Sequence, residues 1–92
     1  MRLEELNGKG VVDAEARLIG HVTELEFDIS SWKITHICTK LADRAIEDFG
    51  YKKPRFGGIN ILIPVEVVKA VKDIIALNQG FKELINIVER RT

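Results

Sequence analysis

Seven glycines divide the sequence into apolar segments that are mostly the length of strands rather than helices. They stand at positions 8, 10, 20, 50, 57, 58 and 80. Because glycine interrupts regular structure and short Val- and Ile-rich segments are typical of strands, the pattern predicts a strand-rich fold over the first two-thirds of the chain. The chain has 92 residues, which is enough for one small hydrophobic core and too few for a large multidomain enzyme.

A switch of side-chain parity marks the longest predicted strand, residues 18–29. The positions that we predict to face inward are even through Val22 and odd from Leu25 onward. Because side chains alternate strictly between the two faces of a strand, the switch predicts a β-bulge near Thr23 and Glu24. A bulge bends its strand, and such bends allow a small sheet to close on itself.

The segments that follow predict a central strand, a short helix and further strands. The third strand, Ile34–Leu41, is apolar on both faces, which favours a central or covered position. Residues 42–49 have the spacing of a helical face, and Gly50 is expected to end that helix. Strand patterns resume at Ile59 and return in antiparallel hairpins as far as Leu77.

The last segment has the pattern of an amphipathic helix. Four apolar residues follow the spacing i, i+3, i+4, i+7 and are expected to share one face: Phe81, Leu84, Ile85 and Val88. We therefore predict a barrel-like domain over residues 1–78 and a C-terminal helix over residues 79–92, packed on the barrel or on a partner. The predicted fold class is all-β, a small antiparallel barrel of five to six strands with a short helical insert.

Charge and cysteine content limit the classes of function. Lys and Arg together number 14, as do Asp and Glu, so the formal net charge is zero. A protein that follows a nucleic-acid backbone generally has an excess of basic residues. The one cysteine, Cys38, cannot form an internal disulfide and fits a reducing compartment. With no export signal at the start and no apolar run long enough to span a membrane, we expect a soluble cytoplasmic protein.

Several segments together resemble the PRC-barrel family. This family includes the cytoplasmic domain of the photosynthetic reaction-centre H subunit and the C-terminal domain of the ribosome-maturation factor RimM. The matching segments are Gly10–Glu15, Ile19–Val22 with Phe27 and Asp28, Lys33–Ile37, and Ile63-Pro64 with Val67, Lys69, Ala70, Val71, Asp73 and Ile74. The resemblance implies a PRC-type β-barrel. Trp32 stands where a turn glycine is common in that family, and Lys72 stands where a glycine usually precedes the aspartate.

The insert Lys53–Gly58, with the strand after it, resembles stand-alone archaeal PRC-barrel proteins. Some of these are linked to cell division, where they are thought to join the SepF anchor of the FtsZ ring. The resemblance therefore implies an adaptor with a SepF-like partner, recruitment to the division site through that partner and no direct insertion into a membrane.

The sequence offers few groups for chemistry. His21, His36 and Cys38 lack the paired spacing of a zinc site, and we interpret Cys38 as a core residue. The carboxylates of Glu24, Glu26 and Asp28 alternate with apolar residues and predict a solvated strand face. We predict no catalytic residue, no metal and no cofactor.

Trp32 is the most informative single residue. A hairpin tip usually holds Gly, Asn or Asp, and an indole at this position should find cover. That cover is either the C-terminal helix or a second molecule, because Trp is enriched at the centres of interfaces. The predicted partner-binding residues are Trp32, Phe81, Leu84, Ile85 and Val88. The leading hypothesis is a non-enzymatic adaptor that forms a homodimer.

A second hypothesis belongs to a different class. One loop interleaves basic and aromatic residues, a combination that can pair with phosphates and stack on bases. Its members are Tyr51, Lys52, Lys53, Arg55 and Phe56. They predict an alternative function as an RNA- or ribosome-associated module similar to the RimM domain, although the zero net charge favours a protein-contacting loop.

Overall fold

The computed structural model describes residues 2–91, which form seven strands and three short helices. The strands are β1 (Gly10–Val12), β2 (Leu18–Asp28), β3 (Lys33–Leu41), β4 (Asn60–Pro64), β5 (Val68–Val71), β6 (Ile74–Leu77) and β7 (Glu89–Arg91). The helices are α1 (Leu3–Leu6), α2 (Asp43–Asp48) and α3 (Phe81–Leu84), and a 3-10 turn, Val65–Val67, lies between β4 and β5. Within this described range, no helix is long and apolar enough to cross a membrane.

All seven strands belong to one sheet, in the order β5-β6-β1-β2-β3-β4-β7. The predicted all-β barrel fold is confirmed. Strand β3 is central, between β2 and β4, as its two apolar faces predicted. Most neighbours are antiparallel, but β1 and β6 are parallel, with Gly10 opposite Ile74, which the sequence did not predict. Over residues 2–91 the end strands β5 and β7 are not paired with each other, so hydrogen bonds do not close the barrel.

The predicted bulge in β2 is confirmed. The register between β2 and β3 shifts between Val22 and Glu24, where the parity of apolar residues changes. Just before it, a Cβ on Gly20 would collide with the carbonyl oxygen of Lys40, so a side chain does not fit there. The bulge allows one strand to pair with two neighbours while presenting apolar residues to the core on both sides of the bend.

The core is mainly aliphatic and is formed by five of the seven strands. Its most buried members come from β1, β2, β3, β4 and β6, from α2 and α3, and from the segments beside them: Val11, Ile19, Val22, Ile37, Leu41, Ala45, Ile46, Phe49, Ile59, Ile61, Ile63, Val67, Ile75, Leu77 and Leu84. Cys38 is buried, as predicted. The predicted helix at 42–49 is present as α2, and Gly50 follows it with φ +81°, the left-handed conformation that ends many helices.

The C-terminal segment differs from its prediction. Helix α3 ends at Leu84, turns follow through Ile87, and residues 89–91 form β7 on the edge of β4. The predicted helix is therefore wrong for residues 85–91, and Thr92 lies outside the described residues. Leu84 and Val88 both face the core, which reproduces helical spacing. Pairing of β7 with β4 gives partners to backbone groups on the edge of β4 that a helix over residues 85–91 would leave to solvent. This extra strand raises the strand number above the predicted five to six.

Candidate functional site

The β2–β3 hairpin extends beyond the rest of the sheet. Strand β1 pairs with β2 only as far as His21, and two further backbone bonds reach Val22, from the Val22 N–H to the Lys9 carbonyl and from the Gly8 N–H to the Val22 carbonyl. On the other side, β4 pairs with β3 only from His36 onward. Within residues 2–91, the hairpin over 23–35 therefore has no third strand on either side. We call residues 23–35 the arm.

The tip of the arm is held by Asp28. Its Oδ1 accepts hydrogen bonds from the Ser30 hydroxyl at 2.7 Å and from the Ser30 N–H at 3.0 Å. The Trp32 N–H donates to the Asp28 carbonyl at 2.7 Å. The hydrogen bonds from the Ser30 hydroxyl and N–H lower the pKa of Asp28, because they stabilise the ionised carboxylate. The turn therefore has a defined shape, with a negative charge at its entrance.

Trp32 is both strained and exposed. Its φ is +57°, in the left-handed region that L-residues with bulky side chains rarely adopt. Its side chain is 80% exposed, so α3 does not cover it. A left-handed non-glycine residue costs on the order of 1–3 kcal/mol, and an indole in water forgoes the stabilisation of burial. Neither property helps the chain to fold.

The arm also exposes other large apolar residues. Ile29 is 76% exposed and Phe27 is 46% exposed. Beside the β2 side of the arm lies a groove of about 330 Å³, lined by Glu4 and Asn7 from the α1 region and, in β2, by residues 22–25 and Phe27. Apolar residues clustered at a protruding element are typical of an interaction surface.

The predicted partner residues near the C-terminus differ in how far they are buried. Leu84 is fully buried in the core of its own chain, so the prediction that it contacts a partner is wrong. Phe81 and Val88 are half-buried against the same core. Ile85 is exposed. The structure does not bring Trp32 together with these residues, because Trp32 stands at the tip of the arm and they pack on the body.

A buried carboxylate that the sequence analysis did not single out organises this part of the body. Asp13 is 2% exposed; its Oδ1 accepts the N–H groups of Glu15 and Arg17, each at 2.9 Å, and its Oδ2 accepts that of Phe81 at 3.1 Å. The Arg17 guanidinium lies 4.3 Å from the centre of the Phe81 ring. The sequence does show an Asp at the start of a predicted hairpin turn, which indicates a role within that turn. It does not indicate the contact with α3, because Phe81 is 68 residues away in the sequence.

Arg91 is a second residue that the sequence analysis missed. From β7 its Nη1 donates to Cys38 Sγ at 3.5 Å and to Glu24 Oε2. These contacts, first with Cys38 and then with Glu24, raise the pKa of Arg91. Because β7, β3 and β2 all contribute, the contact connects the C-terminal strand to the base of the arm.

The basic and aromatic loop, residues 51–58, connects α2 to β4 and is not part of the arm. Phe56 is 86% exposed, and Lys52 and Arg55 are also exposed. Lys53 pairs with Asp43 at 3.2 Å, and the Tyr51 ring lies against the core beneath the Arg90 guanidinium. The loop thus presents fewer free basic groups than its sequence indicated.

The histidines and carboxylates do not converge. His21 is exposed, and the Nδ1 atom of half-buried His36 lies 2.9 Å from the Thr35 hydroxyl oxygen. In the part of the chain that the structure describes, no three His, Cys, Asp or Glu side chains form a group that could hold a metal ion.

The fold and the exposed arm define a small β-barrel whose distinctive surface is apolar and projecting. Residues 1–84 match the PRC-barrel domain, and the chain belongs to the PRC-barrel family. PRC-barrel domains are a family of small non-catalytic modules of the kind used in protein interactions. No curated protein matches the chain.

Proposed function

We propose that the chain is a non-enzymatic adaptor that forms a homodimer and joins a cytoplasmic assembly through the arm. The observation that carries this proposal is Trp32, which is exposed and held at positive φ. Strained residues cluster at functional sites. Trp is also enriched among the residues that contribute most to binding. The membership of a non-catalytic family supports the same proposal.

Light scattering on the purified chain tests self-association. At micromolar concentration we expect at least twice the chain mass of 10.4 kDa. Trp32→Ala should return the mass towards that of a monomer, because it removes the exposed indole and leaves the core intact. Phe56→Ala is the matched control, since it removes another exposed aromatic side chain outside the arm. A monomeric wild type, or equal effects of the two variants, would contradict the proposal.

The finer form of the proposal places this adaptor in the archaeal cell-division machinery, with a SepF-like anchor of the FtsZ ring as its partner. It is supported by the resemblance of the insert at Lys53–Gly58 to stand-alone archaeal PRC-barrel proteins. A direct test is co-purification of the chain with a SepF-like protein, compared between the wild type and Trp32→Ala. Equal recovery of that protein with beads lacking the chain would contradict it.

The RNA-binding alternative receives less support. Tyr51 is packed against the core and Lys53 is paired with Asp43. These contacts leave a footprint too small for strong binding to a phosphate backbone. Binding of a single-stranded RNA that weakens with added salt and is lost in Lys52→Ala with Arg55→Ala would favour this alternative over the adaptor.

A further inference from the structure

The free edge of β2 in the arm differs from the other free edges of the sheet. Strand β5 has a register shift between Val68 and Ala70 and an exposed lysine, Lys69. Strand β7 has three residues, including Arg90 and Arg91. Bulges, short length and basic side chains all protect an edge from pairing with another chain. Residues 24–28 of β2 have no lysine, no arginine and no proline. The register between β2 and β3 shifts between Glu26 and Phe27, but the extra residue, Thr35, lies on β3, so β2 has no inserted residue over this length.

The backbone groups that this edge offers can be assigned from the hydrogen bonds of the arm. The Glu26 carbonyl accepts the Thr35 hydroxyl at 3.4 Å, and the Asp28 carbonyl accepts the Trp32 N–H. Both carbonyls therefore face β3. Because successive residues of a strand direct their backbone groups to opposite sides, the N–H and C=O groups of Leu25 and Phe27 face away from β3. In the described chain, no strand lies on that side.

The side chains of this edge alternate between two chemistries. Glu24, Glu26 and Asp28 are acidic, and the residues between them, Leu25 and Phe27, are apolar. Glu24 is paired with Arg91, whereas Glu26 has no ion pair within residues 2–91. An added strand would complement the edge if it placed basic groups beside the carboxylates and apolar groups beside Leu25 and Phe27.

The same strand from a second copy does not fit this edge. A two-fold antiparallel pair is centred on one residue, which then faces its own copy. Centring on Glu26 places Glu26 opposite Glu26, and centring on Leu25 places Glu24 opposite Glu26. Centring on Phe27 places Glu26 opposite Asp28. Like charges directly opposite each other destabilise a strand pair, so every such register is unfavourable.

We propose that the free edge of β2, residues 24–28, accepts an extended strand from a partner protein in which Lys or Arg alternates with apolar residues. The inference rests on the proposed adaptor function and specifies the chemistry of the adaptor's partner. The strand bonds to the free backbone groups of Leu25 and Phe27, and the groove beside α1 receives its apolar side chains. This mode of recognition adds a strand to an exposed sheet edge.

A short peptide in which Lys and Val alternate is the probe, with a peptide in which Glu and Val alternate as its counterpart. By NMR, the basic peptide should bind and slow amide exchange at Leu25 and Phe27, whereas the acidic one should not. Glu26→Lys should weaken binding of the basic peptide about fivefold and should increase binding of the acidic one. Glu47→Lys, which makes the same charge change on the exposed side of α2, should do neither. Equal binding of the two peptides would overturn the proposed chemistry.

Phe27→Pro tests the backbone contacts. It removes an outward N–H that β3 does not use, and Phe27→Ala is the control that removes the side chain and keeps the N–H. The affinity for the basic peptide should fall at least tenfold more in Phe27→Pro than in Phe27→Ala. A basic peptide with N-methylated amides, which leaves the protein unchanged, should also fail to bind. Equal binding of the methylated and unmethylated peptides would overturn strand addition.

Measuring mass on the same samples separates this inference from the proposed homodimer. A monomer that binds the basic peptide supports the edge and contradicts self-association. A dimer that binds neither peptide overturns the edge and leaves self-association standing. A dimer that Phe27→Pro dissociates and that binds neither peptide would show that a second copy occupies the edge, which also overturns the proposed partner.

Discussion

Two hairpin turns of this molecule use the same local chemistry and serve different purposes. The turn at residues 13–17 joins β1 to β2, and the turn at residues 28–32 joins β2 to β3. Each begins with an aspartate whose Oδ1 accepts an N–H two residues later, at 2.9 Å in the first turn and 3.0 Å in the second. Each contains a non-glycine residue at positive φ, Ala16 at 64° and Trp32 at 57°.

The surroundings of the two turns differ. The first turn is joined to α3 through Asp13 and Phe81, and the Ala14 N–H donates to the Gln79 carbonyl. The second turn projects into solvent with its Trp32 indole exposed. Side chains of the first turn therefore contribute to the stability of the body, whereas those of the second are free to contact another molecule. Tertiary contacts, rather than turn type, decide which role a turn residue has.

The largest expected difference in the free energy of unfolding comes from placing an aspartate in the body and, separately, at the tip of the arm. Leu84→Asp puts a carboxylate where the side chain is fully buried, beside the elements that cover the first turn. It should destabilise the fold by more than about 4 kcal/mol. Trp32→Asp should leave the free energy of unfolding within about 0.5 kcal/mol of wild type, since exposed positions tolerate polar residues. Urea unfolding followed by circular dichroism measures both.

Ile85→Asp is the control within the C-terminal segment, because Ile85 is adjacent to Leu84 and exposed. It should remain folded. If Trp32→Asp unfolds the chain as Leu84→Asp does, the arm is part of the cooperative core and the contrast between the two turns fails.

The next largest difference in stability should come from removing the aspartate of each turn, Asp13 or Asp28. Asp13→Ala leaves three N–H groups without the acceptor that they share and should cost about 3 kcal/mol. Asp28→Ala should cost much less, because water can replace the carboxylate at an exposed turn. Denaturation midpoints with unchanged slopes check the comparison. The stability of Asp13→Asn should lie between those of the wild type and Asp13→Ala, because the asparagine amide keeps one oxygen acceptor. Equal losses from the two Ala variants would show that burial of the first turn contributes nothing.

Much of the body could be predicted from the sequence because its signals are local. The parity switch near Thr23 located the bulge, the two apolar faces of β3 indicated its central position, and Gly50 marked the end of α2. The conformation of Trp32 could also be anticipated from the glycine that is common there in the family. In each case, a few neighbouring residues carry the physical constraint.

The remaining features depend on contacts between distant residues. Strand β7 follows a segment with helical spacing, and its pairing with β4 outweighs that local pattern. The bonds from Asp13 to α3 and from Arg91 to Glu24 connect residues 68 and 67 positions apart. The free edge of β2 is defined by where β1 stops, which no feature of residues 24–28 specifies.

Glycine substitutions at the two strained residues should have a smaller effect on stability. Trp32→Gly and Ala16→Gly each remove the backbone strain of a positive φ, but glycine also increases the conformational entropy of the unfolded chain. We expect the relief of strain to outweigh that entropic cost by about 1 kcal/mol or less. Both variants should therefore be slightly more stable than wild type in thermal unfolding of the monomer. Only Trp32→Gly should weaken self-association. Loss of association in Ala16→Gly would show that the contact between molecules is not confined to the arm, and loss of stability in Trp32→Gly would show that the Trp32 side chain contributes to the fold.

The smallest expected effect is a dependence of stability on pH at the second turn. The pKa of Asp28 is lowered from 3.8 in the folded chain, chiefly by the Ser30 hydroxyl and N–H. Since the unfolded chain binds the proton at higher pH, the contribution of Asp28 is present above pH 3.8 and is lost as the pH falls through the lowered folded value. NMR titration of the Asp28 carboxyl measures that value, and Ser30→Ala should move it back towards 3.8. Ser31→Ala is the neighbouring control and should have a smaller effect, because the Ser31 hydrogen bonds are weaker causes of the shift. Identical titrations of Asp28 in the wild type and in Ser30→Ala would show that the tip of the arm is not ordered by this hydrogen bond.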